Sequence, residues 1–299
     1  MPAAMHRARP ALGTLVQIRV EGLHEADALR AIDAAFAEVA VVHRLMSFHE
    51  AGSDLARIHG VASGSAVAVD ARTFQVLQVA QDVAAASQGV FDITIAARLV
   101  AWGKLPRPAS PFTPEACASW RDIELVDGAC VRLRRPLWLD LGGIAKGYAV
   151  DRAIDILRAS GATQACINAG GDLRIFGARV EPVYVRIDHP YVGQEHIDHR
   201  CTHQPLVELV NAAVASSARD SHDDEAHMPG PHVHGVTGAG AGGAASVSVI
   251  ADRCVIADAL TKVVLAGDDA ITRATLATFA ARACMHDPVS GWTIMDRAA

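Results

Sequence analysis

Asp122-Ile-Glu-Leu-Val126, Asp127-Gly128, Ala129-Cys-Val-Arg-Leu-Arg134 is the stretch on which the fold class turns. Two β-prone runs separated by Asp-Gly read as a hairpin with a two-residue turn, because that dipeptide accepts positive φ angles at little cost. A hairpin requires antiparallel pairing, which a doubly wound parallel sheet does not offer. Upstream, residues 12–20 (LGTLVQIRV) predict a strand. Residues 24–46 carry Leu29, Ile32, Phe36, Val39, Val42 and Leu45 at helical spacing and predict a long amphipathic helix. A turn is expected at Gly52-Ser53-Asp54 and a short strand over 66–69. Asp70 should cap a helix bearing Phe74, Leu77, Ala80 and Ala84 that stops at Gly89. Residues 103–114 read as a proline-rich surface connection, with a short helix opening at Thr113-Pro114-Glu115. Further strands are expected over 138–140, 164–168, 172–176, 183–187, 205–210 and 246–251, and helices over 144–159, 255–266 and 271–281. Irregular alternation with a hairpin makes the class α+β, mixed or antiparallel sheets flanked by helices. No internal repeat or linker is visible, so residues 1–299 read as one domain.

Composition excludes several functions. With 33 acidic against 27 basic residues the net charge is −6, which leaves no global field for nucleic acid. Apolar runs break at Asp, Arg or Gly within a dozen residues, too short for a membrane span. The first ten residues carry some positive charge but no apolar stretch behind it, so neither a secretory signal nor a lipoprotein anchor is read and cytoplasmic residence is expected. Cysteines 117, 130, 166, 201, 254 and 284 are scattered without a C-x-x-C pair, the pattern of free thiols.

Four clusters carry chemistry. Asp140-Leu-Gly-Gly-Ile-Ala-Lys-Gly-Tyr-Ala-Val-Asp151 runs from a carboxylate through two glycines to a lysine in the first turn of a helix. This is either an anion cradle at a helix N-terminus or a tight turn with an exposed lysine. It has neither the Walker A order nor G-x-G-x-x-G. Asn168-Ala-Gly-Gly-Asp172 reads first as a β-turn or bulge. In Gly89-Val-Phe-Asp-Ile-Thr94, Phe91 either stacks on a planar ring system or belongs to the core. In Ala257-Asp-Ala-Leu-Thr-Lys262, Asp258 and Lys262 share a helix face, and the surrounding helix is so apolar that Asp258 intrudes on a buried surface and needs a partner or a metal. The segment 219–244, with His222, His227, His232 and His234, matches no closed zinc geometry and reads as a solvated, mobile or active-site loop.

Taken together and in order, Leu12-Gly13-Thr14, Leu45-Met-Ser47, Ser53-Asp-Leu-Ala-Arg57, Gly89–Thr94 with Trp102-Gly103, the Asp140–Asp151 run, Asn168–Asp172 and Ala257–Leu260 resemble the flavin transferase (ApbE) family, the FAD:protein FMN transferases. The resemblance covers nearly the whole chain. It implies an α+β body with T-fold-like halves and an FAD cleft between them. It also implies Mg²⁺ on the pyrophosphate, and transfer of FMN from FAD to a threonine or serine hydroxyl of an acceptor flavoprotein with release of AMP. By motif position, the implied cofactor contacts are Leu12, His49, Val90, Phe91, Asp92, Asp140, Lys146 and Val233. The implied metal ligands are the Gly143 carbonyl, Asp258 and Thr261, and the implied catalytic residues are Lys262 and His234.

Departures from the family pattern gather on the metal side. A threonine usually follows the metal-binding aspartate by four residues; here Lys262 stands there, and Thr261 lies about 100° around the helix. An ammonium at that place either repels Mg²⁺ or neutralises the pyrophosphate itself. The usual His-Ile-Ile-Asp-Pro-x-Thr-Gly appears as Pro231-His-Val-His-Gly-Val-Thr-Gly238, with His234 in place of the aspartate. Ser216-Ser217-Ala218 replaces threonine-serine-glycine, and His49 replaces a frequent tyrosine. FMN transfer, flavin binding without turnover, and hydrolysis of FAD are the activities these residues leave open.

Overall fold

Val16, Ile18 and Val20 are buried while Leu15 and Gln17 are exposed, the period-two pattern of a strand with one covered face. In the computed structural model, which describes residues 4–185, 205–218, 230–241, 246–287 and 290–296, this strand is β2 (Thr14–Glu21). It pairs with β1 (Met5–Ala11) across a two-residue turn at Leu12-Gly13. The strand expected over 12–20 therefore begins later, because Leu12 and Gly13 both take positive φ, 54° and 72°. A leucine in that region costs about 1–2 kcal/mol, a glycine almost nothing. β1 gave no sequence signal because it is an exposed edge strand, where Arg7, Arg9 and Pro10 are tolerated.

Helix α1 (Glu25–Met46) buries Ala28, Ile32, Ala35, Val39, Val42 and Met46 along one stripe. The expected turn at 52–54 opens a short helix, α2 (Asp54–His59), whose first turn is closed by the Ser53 hydroxyl accepting from Ala56 N. β3 (Ala66–Ala68) follows, then α3 (Ala71–Ala86), capped by Asp70 as read. A 3₁₀ turn at Ile93–Ile95 leads into α4 (Ala96–Ala101), which carried no expectation. No helix forms at Thr113; Glu115 N instead donates to Pro136 O, and a 3₁₀ turn follows at Trp120–Asp122. The opening hairpin is β4 (Ile123–Val126) and β5 (Cys130–Leu133), and its turn has three residues, with Gly128 and Ala129 at positive φ. With β3 it makes a small three-stranded sheet. Residues 138–140 join no sheet. Leu139 N donates to His59 Nε2 at 2.8 Å and Asp140 N to Ile93 O at 2.8 Å, so both amides are satisfied by loops.

After α5 (Ala145–Ala159) come β6 (Gln164–Ala169), β7 (Asp172–Phe176), β8 (Glu181–Tyr184), β9 (Leu206–Leu209), β10 (Ala213–Ala218), β11 (Ser246–Ala251), α6 (Cys254–Ala266), α7 (Asp269–Thr278), β12 (Arg282–Asp287) and β13 (Gly291–Met295). The main sheet has the order β1-β2-β6-β7-β10-β11-β12-β13, antiparallel at every pairing. It consists of two halves of the same plan: a hairpin, two helices, a hairpin. β1-β2 with α1, α5 and β6-β7 form one; β10-β11 with α6, α7 and β12-β13 form the other. No repeat was visible because α2 through β5 are inserted between the two helices of the first half. One apolar core joins both halves, from Val16 to Met295. No helix among the described residues is long and apolar enough to cross a membrane. Of the expected loop 219–244, residues 219–229 and 242–244, with His222 and His227, lie outside the described residues, as does Cys201; Cys117, Cys130, Cys166, Cys254 and Cys284 are free thiols.

The halves are locked by α5 and α6. Asp151, buried in α5, accepts from Cys254 N at 2.9 Å and Val255 N at 3.0 Å and so caps α6. Asp258, buried in α6, accepts from Gly147 N at 3.0 Å in the first turn of α5. Each helix thus supplies the carboxylate that satisfies free amides at the other's N-terminus. Their close approach needs Gly147, where an added methyl would lie 2.4 Å from Cys254 O and 2.8 Å from Asp258 Cβ. Asp151→Ala should lower the unfolding free energy by on the order of 3 kcal/mol in urea titration, since two capped amides and Arg174 lose their partner. Gly147→Ala, by overpacking, should cost about 1–3 kcal/mol.

Candidate functional site

A cleft of about 540 Å³ opens where the two halves meet. Its walls come from the Leu12-Gly13 turn, the end of α1 and the loop after it, residues 91–105, the run from Asp140 into α5, the end of β10, residues 231–233 and α6. Met46, Phe48, Leu99, Leu105 and Val233 give the lining an apolar share, and Lys146 and Lys262 bring ammonium groups to it. Such a combination suits a ligand with flat rings and anionic groups.

Most of the residues singled out in the sequence converge here. Leu12, His49, Phe91, Asp92, Asp140, Gly143, Lys146, Val233 and Lys262 all line the cleft. Val90 is buried behind it, its carbonyl accepting from Gly235 N at 2.9 Å. Asp258 and Thr261 are fully buried in α6 beneath it. His234 is outside the lining; its Nδ1 accepts from Val236 N at 3.2 Å and Thr237 N at 3.4 Å, so it holds the turn that follows Val233. Phe91 is 5% exposed and shows the cleft little of its ring. Asp92 turns its carboxylate inward to Thr94 N, Thr94 Oγ1 and Trp120 N, and burial pushes its carboxyl up. Asp140 closes its own turn by accepting from Gly142 N at 3.1 Å; burial raises its carboxyl too.

The charges beneath the cleft form two linked pairs. Lys146 Nζ donates to Asp172 Oδ2 at 2.6 Å and Lys262 Nζ to Asp258 Oδ1 at 2.5 Å. Burial works against the Lys146 charge, but Asp258 and Asp172 outweigh it and raise its basicity. Burial also opposes the Asp258 carboxylate, yet Lys262 and Lys146 hold it below the ordinary carboxylate value. Asp172 pays for its position: burial and the neighbouring Asp258 push it up to about 6, and its Oδ1 has no hydrogen-bond partner among the described residues. Asp172, which the sequence offers only as the end of a β-turn or bulge, is thus a site residue; its signal is the Gly170-Gly171-Asp172 run, which brings the carboxylate to Lys146. His232, one of the histidines that read as a solvated loop, lines the cleft; its Nε2 lies 3.2 Å from Ala218 O, and burial and then Lys262 lower it to about 4.

The implied ligand set for Mg²⁺ can be tested against this geometry. Mg²⁺ takes six oxygens at about 2.0–2.1 Å. Asp258 has one oxygen on Gly147 N and the other on Lys262. Thr261 turns its hydroxyl to Asp258 O at 2.7 Å and meets Ser217 Oγ at 2.8 Å. Lys262 fills the space beside Gly143, its Cε 3.3 Å from where a methyl on that glycine would sit. A dication 4 Å from an ammonium is repelled by about 8 kcal/mol at an effective dielectric of about 20. These residues do not fit Mg²⁺ held at Asp258.

Comparison with known proteins places this architecture. A profile of the ApbE family matches residues 12–284, and the chain belongs to that family. Among curated relatives, the FAD:protein FMN transferase of Rhodobacter capsulatus is 30% identical over 55% of this chain and 33% of its own length. That of Vibrio cholerae is 27% identical over 71% of this chain and 65% of its own length. The chain thus spans about one third to two thirds of these two relatives. The fold is that of the ApbE protein from Thermotoga maritima, with a TM-score of 0.78 at 24% identity, covering 97% of this chain and 96% of that one. It is equally that of the flavin transferase ApbE from Vibrio cholerae, with a TM-score of 0.75 at 22% identity, covering 98% and 96%.

A residue the sequence did not flag positions the Asp140 turn. Buried His59 accepts from Leu139 N and packs its ring 5.6 Å from Phe48 in the cleft wall. Burial lowers it to about 4, below the ordinary 6.5, so the folded state refuses a proton that the unfolded chain accepts. The stability this confers is complete above pH 6.5 and is lost as pH falls toward 4, on the order of 3 kcal/mol in all. His59→Gln, which keeps an acceptor without titrating, should flatten that part of the stability–pH curve.

Proposed function

We propose that this chain transfers the FMN moiety of FAD to a threonine or serine hydroxyl of an acceptor protein, releasing AMP. The observation that carries the reading is one cleft that joins apolar walls for ring systems to paired ammonium groups beside the first turn of α5. Membership of the ApbE family supports it, as do the activities that the names of the two curated relatives state. In this reading Leu12, Phe48 and Val233 hold ring systems, while Lys146 and Lys262 face the diphosphate. His234 acts at one remove, by holding the turn behind Val233. The acceptor oxygen attacks the FMN phosphorus, the bond to the bridging oxygen breaks, and AMP leaves. Such a reaction asks the protein mainly for alignment and charge compensation. The hydroxyl proton goes to Asp140, a carboxylate on the cleft wall.

Incubation with FAD and a lysate of the source cells should yield AMP in step with covalent flavin fluorescence on a protein band after denaturing electrophoresis. AMP and free FMN without a labelled band would replace transfer by hydrolysis, and tight FAD binding with neither product would leave a flavin-binding protein. Lys146→Gln should weaken FAD binding about tenfold or more in a flavin fluorescence titration, because a charge-assisted contact is removed.

A further inference from the structure

We propose that the Lys262 ammonium is this protein's built-in counter-cation, seated where a metal would otherwise bind, so that the cleft receives the dinucleotide's diphosphate without a divalent ion held by the protein. The proposal rests on FAD being the ligand of the cleft and concerns how the floor beneath that ligand is kept from repelling its diphosphate. Lys262 Nζ donates to Asp258 Oδ1 at 2.5 Å, Ser217 Oγ at 3.1 Å and Asp258 O at 3.2 Å. A carboxylate, a hydroxyl and a carbonyl are the hard oxygen donors that a cation site collects. Here they match the three protons of an ammonium one for one.

The surroundings make the arrangement specific. Asp258 is fully buried, and Lys262 lies at the cleft surface with 17% of its side chain exposed, close beside Gly143. Thr261, another hydroxyl nearby, is buried, donates to Asp258 O and meets the Oγ of Ser217, which itself lines the cleft. Lys146 and Lys262 together balance Asp172 and Asp258, two positive charges against two negative. Without Lys262 the site would present a net negative charge to an anionic ligand. With it, Asp258 keeps its role of capping α5 and repels nothing.

Two titrations on wild type, Lys262→Thr and Lys262→Met decide the matter. In the first, Mn²⁺ binding to ligand-free protein is followed by electron paramagnetic resonance. Wild type should bind no Mn²⁺ below about millimolar concentration, whereas Lys262→Thr, with only oxygen donors left, should bind about one equivalent. In the second, FAD binding is followed by flavin fluorescence in EDTA and then in excess Mg²⁺. Wild-type affinity should change by less than about twofold between the two buffers; both variants should bind about tenfold or more weakly in EDTA, with Mg²⁺ restoring Lys262→Thr alone. One equivalent of Mn²⁺ on wild type, or a tenfold gain in its FAD affinity from Mg²⁺, would overturn the proposal, and both arms use wild-type protein, so they do not depend on how the variants fold. A wild type that binds FAD in neither buffer defeats the proposed function instead, and the Mn²⁺ titration still decides who occupies the seat.

Discussion

Two buried aspartates, each at the start of the other's helix, are the constraint on which the rest of this structure depends. Asp151 caps α6 and Asp258 caps α5, with Gly147 letting the backbones approach. The pairing of 147 with 258 and 151 with 254 runs the two helices in opposite directions across the boundary between halves. That crossing fixes where the Asp140–Lys146 turn and the Asp258–Lys262 face come together. A cleft therefore forms at a predictable place, with its floor made of charges that are already committed to structure.

Buried carboxylates are costly unless paired, and here the pairing is shared between fold and site. Asp258 satisfies an amide with one oxygen and an ammonium with the other. Asp172 is answered by Lys146 on one side only. The same lysines that relieve these acids line the cleft, so the electrostatics that an anionic ligand meets are set by the needs of the helices. This accounts for the difference between Lys146 and Lys262. The first follows a glycine turn at a helix start, while the second has all its protons directed at oxygens of α6 and β10.

Much of this was legible beforehand, for reasons that can be assigned. The β-prone run over 12–20, the stripe of α1 and the Asp70 cap are local signals, and each appears in the structure, the first as a strand that starts at Thr14. The strand expected at Trp138–Asp140 failed because its amides are claimed by His59 and Ile93, partners distant in sequence. β1, β10 and β12 carry small, polar or charged residues at many strand positions, and pattern alone does not find those, whereas β13 holds Trp292, Thr293 and Ile294 and went unread all the same. The candidate residues were found through the ordered motifs, and nine of them line one cleft. The roles of Asp172, His59 and Ser217 were invisible because each is defined by a contact with a remote segment.

The main sheet is not uniformly joined. Most neighbouring strands are in register over five or more residue pairs, but β7 meets β10 only at Ala213 with Arg174 and at Val214 with Leu173. That short joint lies on the midline between the halves, and the cleft walls draw on both of them. A molecule filling the cleft would bridge this weakest line of the sheet, so part of its binding energy would appear as resistance to the halves parting. Ligand occupancy and mechanical integrity would then rise and fall together.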